Sequence, residues 1–88
     1  MIHKFAEITG VTVEEIKSRK RTPEIAEARF VYWKLRFEKH GYSYSAIGRE
    51  TNRTHATVAH GVRRANDLIS MRDRRTIKIW ELIKDIEE

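Results

Sequence analysis

The stretch that decides the fold is SYSAIGRETNRTHATVAHGVRRANDLIS, residues 43–70. Each half begins with a hydroxyl residue suited to capping a helix, Ser43 in the first half and Thr54 in the second. The pattern predicts a helix of about eight residues, a turn at 51–53 and a helix of about fifteen residues, as in a helix-turn-helix. Apolar residues recur along the longer helix at helical spacing and predict a buried stripe made of Val58, Val62, Ala65 and Ile69.

The other sides of the longer helix are polar, and its first turns carry donors, acceptors and methyl groups. Such side chains read base edges in the major groove, and later arginines would reach phosphates. The candidate DNA-contacting residues here are Arg53, Thr54, His55, Ala56, Thr57, His60, Arg63 and Arg64. Small residues at Ala56 and Gly61 are predicted to let a DNA backbone approach closely. The alternatives are that Thr54 only caps the helix and that Arg63 and Arg64 only pair with Asp67.

The rest of the chain is also predicted to be helical. A first helix ends at Gly10, and a second begins at a capping box of Thr12 and Glu15. A long central helix runs from Thr22–Pro23 to about Gly41, with Trp33 and Phe37 in the core. A last helix carries a stripe of Ile79, Leu82, Ile83 and Ile86, and Trp80 lies off that stripe. The predicted fold is all-α, a single domain over 1–88 with five to six helices and a Trp-repressor-like helix-turn-helix at about 43–70.

The excess of positive charge lies in the first 76 residues of the chain. Residues 1–76 carry 16 basic and 9 acidic side chains, whereas residues 77–88 carry 2 and 4. Four of the basic residues lie in KSRKR, Lys17–Arg21, which predicts a basic loop before the central helix. Such a loop can follow a phosphate backbone or insert an arginine into a minor groove, although a basic run alone is more often a solvated loop. Together with the polar helix, it favours a DNA partner.

Several functional classes are disfavoured by composition. There are no cysteines, and no nucleophile, base and carboxylate set occurs in a chain of 88 residues, so we expect neither an enzyme nor a cofactor. His55 and His60 stand five apart, a poor helical spacing for metal ligands, so we expect no metal. No apolar run is long enough to span a membrane, and no signal peptide opens the chain. We therefore expect a cytoplasmic, nucleoid-associated protein.

From about residue 5 to 86 the chain resembles the C-terminal DNA-binding domain (domain IV) of the bacterial replication initiator DnaA. The resemblance rests on SRKR (18–21), EAR (27–29), SYSAIG (43–48) and RTHATVAHGVRRA (53–65). It implies that Arg21 enters the minor groove, that Thr54, His55 and Ala56 read bases, and that Arg29 and Thr57 hold phosphates. It also implies that His60 and Arg63 correspond to the family's later histidine and arginine on the recognition helix. Tyr44 and Ser45 would lie beside DNA, and packing within the protein is an equal alternative for Tyr44.

Two departures concern sequence readout. The family has Asp-His-Thr where this chain has Thr-His-Ala at 54–56, so a carboxylate that accepts from cytosine and a hydroxyl are lost. The turn before Arg53 is one residue shorter than the family's. Both changes lie where the preference for the family's TTATCCACA-type DNA box would be set. The chain has no G-x-x-x-x-G-K-[ST] motif, and Met1 before the first helix favours a freestanding relative over an excised domain.

Three functions are compatible with these features. The first is sequence-specific double-stranded DNA binding in replication initiation or its regulation. The second is a dimeric transcriptional regulator joined through its last helix, and the third is a protein-interaction module that kept the fold. The loss of the aspartate favours the third, and the retained arginines favour the first. RNA binding has less support, because no exposed aromatic platform is evident.

Overall fold

Six helices and no strands make up the chain in the computed structural model, which describes residues 1–88. The helices are α1 Ile2–Thr9, α2 Val13–Lys17, α3 Pro23–Lys34, α4 Tyr44–Thr51, α5 His55–Ser70 and α6 Arg74–Ile83. The prediction of an all-α fold with five to six helices is confirmed. None of the helices is both long and apolar enough to cross a membrane.

The predicted helix ends are set by short-range hydrogen bonds. Gly10 adopts the left-handed conformation at φ 81°, and its N–H donates to the carbonyl of Ala6 at 2.8 Å. Thr12 and Glu15 form the predicted capping box, with both side chain to backbone bonds at 3.0 Å. Ser43 and Thr54 cap α4 and α5 as predicted, at 3.1 and 3.3 Å from their backbone donors. These caps satisfy backbone N–H groups that a helix start leaves without partners.

Helix α3 lies at the centre of the core. It contributes Ala28, Val31, Tyr32 and Trp33, all fully or almost fully buried. Twelve buried residues from α1 to α6 form one continuous hydrophobic cluster around it. The predicted single helix to Gly41 instead changes at Leu35 into a π-helical turn that ends at Lys39.

The turn of the helix-turn-helix depends on a glycine. The N–H of Arg53 donates to the carbonyl of Gly48 at 2.8 Å, and Asn52 closes α4 in the left-handed conformation. A Cβ on Gly48 would lie 2.3 Å from the carbonyl oxygen of Arg53. The start of α5 therefore sits against the backbone of α4, which no larger residue would allow without moving the turn.

The prediction for Gly61 is wrong. Gly61 is buried, and a Cβ there would lie 2.2 Å from Cε3 of Trp33. The missing side chain lets α5 approach the Trp33 ring in the core, on the side away from solvent. The predicted stripe of α5 is also shifted at its end, because Leu68 is buried and Ile69 is only half-buried.

The predicted stripe of the last helix is wrong in part. Helix α6 buries Thr76 and Ile83 and leaves Leu82 exposed by 55%. Asp73 caps this helix, accepting from the backbone N–H and the hydroxyl of Thr76 at 3.0 and 2.7 Å. Trp80 faces the body, where Lys34 Nζ lies 4.5 Å from its ring centroid. Because the buried Thr76 is polar, a pattern of apolar residues alone could not identify which face of α6 is buried.

Candidate nucleic-acid interface

The first turns of α5 present polar side chains to solvent. Thr54, His55, Ala56, Thr57 and His60 are all exposed, while Val58 and Val62 bury the opposite face. The hydroxyl of Thr54 lies 3.0 Å from the hydroxyl of Thr57, so the two form a linked pair at the helix start. This arrangement offers donors, acceptors and a methyl group on one accessible ridge.

The basic loop lies between α2 and α3. Arg19, Lys20 and Arg21 are exposed in it, and the loop is anchored by the end of α2. Ser18 makes the local turn: its hydroxyl donates to the carbonyl of Glu15 at 2.7 Å and accepts from the N–H of Lys20 at 3.2 Å. The charged side chains are thus free to meet a partner while the backbone beneath them is ordered.

Arg29 is buried beneath this loop, with 5% of its surface exposed. Its Nε donates to the carbonyl of Ile16 at 2.8 Å. Its Nη2 donates to three more carbonyls, those of Glu15, Ser18 and Lys20, at 2.9 to 3.1 Å. The guanidinium that the resemblance assigns to a phosphate therefore holds the loop backbone, and only Nη1 is without a partner inside the chain.

Arg53 holds the same loop from the helix-turn-helix. Its Nη1 donates to the carbonyls of Lys17, Thr51 and Asn52 at 3.1 to 3.3 Å, and its Nη2 donates to the carbonyl of Ser18. The basic loop is consequently joined directly to the turn that precedes α5.

A cavity of about 460 Å³ opens where the loop, α3 and α5 meet. Four arginines, Thr57 and His60 line it together with three hydrophobic residues. The lining residues are Arg19, Arg21, Ala26, Arg29, Phe30, Trp33, Arg53, Thr57 and His60. Of the predicted site residues, the fold thus brings Arg21, Arg29, Arg53, Thr57 and His60 to one face. Arg19 was missed as a single residue, although its place in KSRKR could have signalled it.

The chain is similar in sequence to known proteins. The family model described as "Bacterial dnaA protein helix-turn-helix" matches residues 1–65. The chain belongs to this family. The chromosomal replication initiator protein DnaA of Streptococcus agalactiae serotype Ia is 40% identical over 77 residues, covering 86% of this chain and 17% of the relative.

The DnaA protein of Streptococcus pyogenes serotype M5 (strain Manfredo) is 42% identical over 77 residues, with the same coverage. The chain therefore spans about a sixth of the length of these curated DnaA relatives. No solved structure matches it.

The remaining predicted residues of this DnaA-family chain lie beside the cavity or away from it. Arg63 and Arg64 are exposed further along α5 and, with His60, line a shallower depression of about 250 Å³. Ser45 is exposed on α4. Tyr44 is half-buried, because its ring stacks on Phe37 with centroids 4.2 Å apart. Packing thus accounts for Tyr44 in the free protein and places Phe37 at the edge of the core.

Electrostatic repulsion is concentrated at the cavity. Burial lowers the pKa of Arg29, and the nearby charges of Arg53 and Arg21 lower it further. Burial likewise lowers the pKa of Arg53, with added repulsion from Arg19 and Arg21. The guanidinium groups of this face are positively charged and repel one another. Their mutual repulsion is relieved by a bound polyanion, which makes this face a strong candidate for phosphate binding.

Proposed function

We propose that this chain is a sequence-specific double-stranded DNA-binding domain that acts in bacterial replication initiation or its regulation, in the cytoplasm at the nucleoid. In this proposal α5 enters the major groove while the basic loop reaches the adjacent minor groove. The observation that carries it is the single face on which the loop arginines and the exposed start of α5 converge. Membership in the DnaA helix-turn-helix family supports the same function.

The base-reading side chains are assigned to the start of α5. His55 offers ring nitrogens, and the methyl of Ala56 suits the methyl of thymine. Thr54 and Thr57 supply hydroxyls, although each is partly engaged by the other. Because Thr54 has no carboxylate, we expect weaker selection for cytosine at the base pair it faces than an aspartate would give.

The phosphate-binding side chains surround this ridge. Arg63, Arg64 and His60 lie on the later turns of α5, and Ser45 and Tyr44 lie on α4. Arg29 and Arg53 add positive charge at the cavity, and Arg29 retains Nη1 for a phosphate. These contacts give affinity without sequence preference, whereas Arg21 in the minor groove senses groove width and A·T content.

The experiment that tests this function is fluorescence anisotropy with two labelled duplexes, one with a TTATCCACA-type box and one with the same bases scrambled. A domain that neutralises about six phosphates should lose roughly a thousandfold in affinity between 50 and 200 mM salt. We expect that steep loss for both duplexes and at least about tenfold tighter binding to the box, which corresponds to about 1.4 kcal/mol.

The outcomes separate the alternatives. Equal binding to both duplexes with a steep salt dependence would retain DNA binding and remove the preference for this box, so the site would have to be found by selection. Binding to neither duplex at low salt would reject DNA binding in favour of the protein-interaction module.

Base-reading and phosphate-binding residues should respond differently to alanine. Arg21→Ala and His55→Ala are each expected to weaken binding to the preferred duplex by about 1–3 kcal/mol and to reduce its advantage over the scrambled duplex. Arg64→Ala should weaken both duplexes alike and lower the salt slope by about one. Equal losses on both duplexes for Arg21→Ala and His55→Ala would contradict their assignment to base readout.

The dimer alternative has less support in the fold. Among the apolar residues of α6 only Leu82 is exposed, since Ile77, Ile79 and Trp80 are half-buried and Ile83 is buried. A single exposed leucine is ordinary on a monomer surface. We expect a monomer by light scattering at the concentrations used for DNA binding, and a dimer abolished by Leu82→Lys would restore the alternative.

A further inference from the structure

The basic loop leaves a run of backbone carbonyls that need partners. Helix α2 has only five residues, Val13–Lys17, so most of its carbonyls have no partner within the helix. The carbonyl of Glu15 accepts from the N–H and hydroxyl of Ser18, at 3.2 and 2.7 Å. The carbonyls of Ile16, Lys17 and Ser18 accept no hydrogen bond from a neighbouring residue. They accept instead from the guanidinium groups of two arginines, Arg29 and Arg53.

The two arginines that supply these donors come from different parts of the fold. Arg29 reaches up from α3, in the core below the loop. Arg53 reaches across from the turn before α5 and also donates to the carbonyls of Thr51 and Asn52 at the end of α4. One guanidinium therefore closes the C-terminal ends of both α2 and α4, where positive charge is also favoured by the helix dipoles.

We propose that Arg53 is a positioning residue that locks the basic loop to the helix-turn-helix, so that Arg21 and the start of α5 are presented to DNA as one rigid unit. This inference rests on the proposed function for its consequence in DNA binding. Arg53 is the residue directly before the cap of α5, and its carbonyl partners Lys17 and Ser18 directly precede the exposed residues 19–21. A short and direct link thus joins the predicted minor-groove element to the predicted major-groove element.

The side chain must be arginine for this role. A guanidinium is a planar fork with several donors and can bond carbonyls from two chain segments at once. Lysine carries the same charge on a single ammonium and cannot span both groups in this geometry. A residue that only attracts a phosphate should tolerate lysine, whereas a residue that bridges the loop and the turn should not.

The test therefore compares Arg53→Lys with Arg53→Ala, and uses Arg74→Lys as the matched control because Arg74 is exposed on α6 with no hydrogen bond inside the chain. In the free protein, amide hydrogen exchange at residues 15–20 should become about tenfold faster in Arg53→Lys, since the loop loses its bonds to the turn. The slow amides of α3 serve as an internal reference for global stability. Arg74→Lys should exchange like the unmodified chain.

DNA binding gives the second arm. Arg53→Lys should weaken binding to the preferred duplex by about tenfold, close to Arg53→Ala, while Arg74→Lys stays within about twofold of the unmodified chain. In an Arg21→Ala background, Arg53→Lys should have almost no further effect, because the loop has no minor-groove contact left to position.

Two results would overturn the proposal. One is unchanged exchange at residues 15–20 in Arg53→Lys, which would show that Arg53 does not hold the loop. The other is a full, additive loss of affinity in the Arg21→Ala background, which would assign Arg53 to a direct phosphate contact. If the unmodified chain binds neither duplex, the proposed function fails, and the exchange measurement still decides whether Arg53 holds the loop.

Discussion

Replacing Trp33 with alanine is expected to lower the free energy of unfolding by about 3–5 kcal/mol. The Trp33 side chain is 1% exposed and packs against the open face of Gly61, so its removal leaves a large cavity between α3 and α5. Its indole N–H also donates to the Thr51 hydroxyl at 3.0 Å, and losing this bond leaves a buried hydroxyl with one partner fewer. A chain of this size has roughly 4–13 kcal/mol of total stability, so the variant should be close to unfolding at ordinary temperature.

Chemical denaturation followed by circular dichroism measures this loss. Trp80→Ala is the control, because Trp80 is half-buried and lies on the outer helix α6. Its cost should be clearly smaller, at about 1–2 kcal/mol, since less apolar surface is removed from the core. Equal losses for the two tryptophans would mean that Trp33 does not hold α3 and α5 together as the packing indicates.

Gly48→Ala is expected to destabilise the chain by about 2–3 kcal/mol, the upper part of the usual range for overpacking. Alanine normally stabilises a helix by about 1 kcal/mol relative to glycine, so the expected sign is opposite to that of local propensity. The added Cβ would lie 2.3 Å from the carbonyl oxygen of Arg53, and a backbone atom cannot rotate away as a flexible side chain can. The turn must move instead, and the start of α5 moves with it.

Both stability and DNA binding should therefore change in this variant. Thermal unfolding measures the loss of stability. Anisotropy below the unfolding temperature measures DNA binding, which should be weaker than the decrease in folded protein alone would explain. Arg49→Ala is the matched control, because Arg49 is the exposed neighbour on α4 and its replacement should alter stability by no more than about 0.5 kcal/mol. A Gly48→Ala variant as stable as Arg49→Ala would show that the turn has more room than its geometry indicates.

Prediction from sequence succeeded where the controlling interactions are short-range. The caps at Thr12, Ser43, Thr54 and Gly10 involve partners no more than four residues away, so residue type and spacing suffice to predict them. It failed for Gly61, since the ring that fills the space above this glycine is on α3. It also failed for Leu82, since the face that α6 buries depends on how the helix meets α3 and α1.

The candidate site divides in the same way. The exposed polar start of α5 and the basic loop were predicted as separate elements from local composition. The meeting of the two at one cavity depends on Arg29 and Arg53, and Arg53 has carbonyl partners 35 and 36 residues away in the chain. Neither arginine differs in type or local spacing from an ordinary surface arginine, so the sequence suggested phosphate contacts and did not indicate a role in holding the loop.

By itself, the sequence determined the helical class, the two helices of the helix-turn-helix, their caps, the excess of positive charge and the resemblance to the DnaA domain. Each of these depends on side-chain type and on spacing along one helix or turn. Only the tertiary structure decided which arginines face solvent and which hold backbone carbonyls, and that the loop and α5 share one face. Such features depend on where unpaired carbonyls and ring faces meet across the core, and that is settled by packing between distant segments.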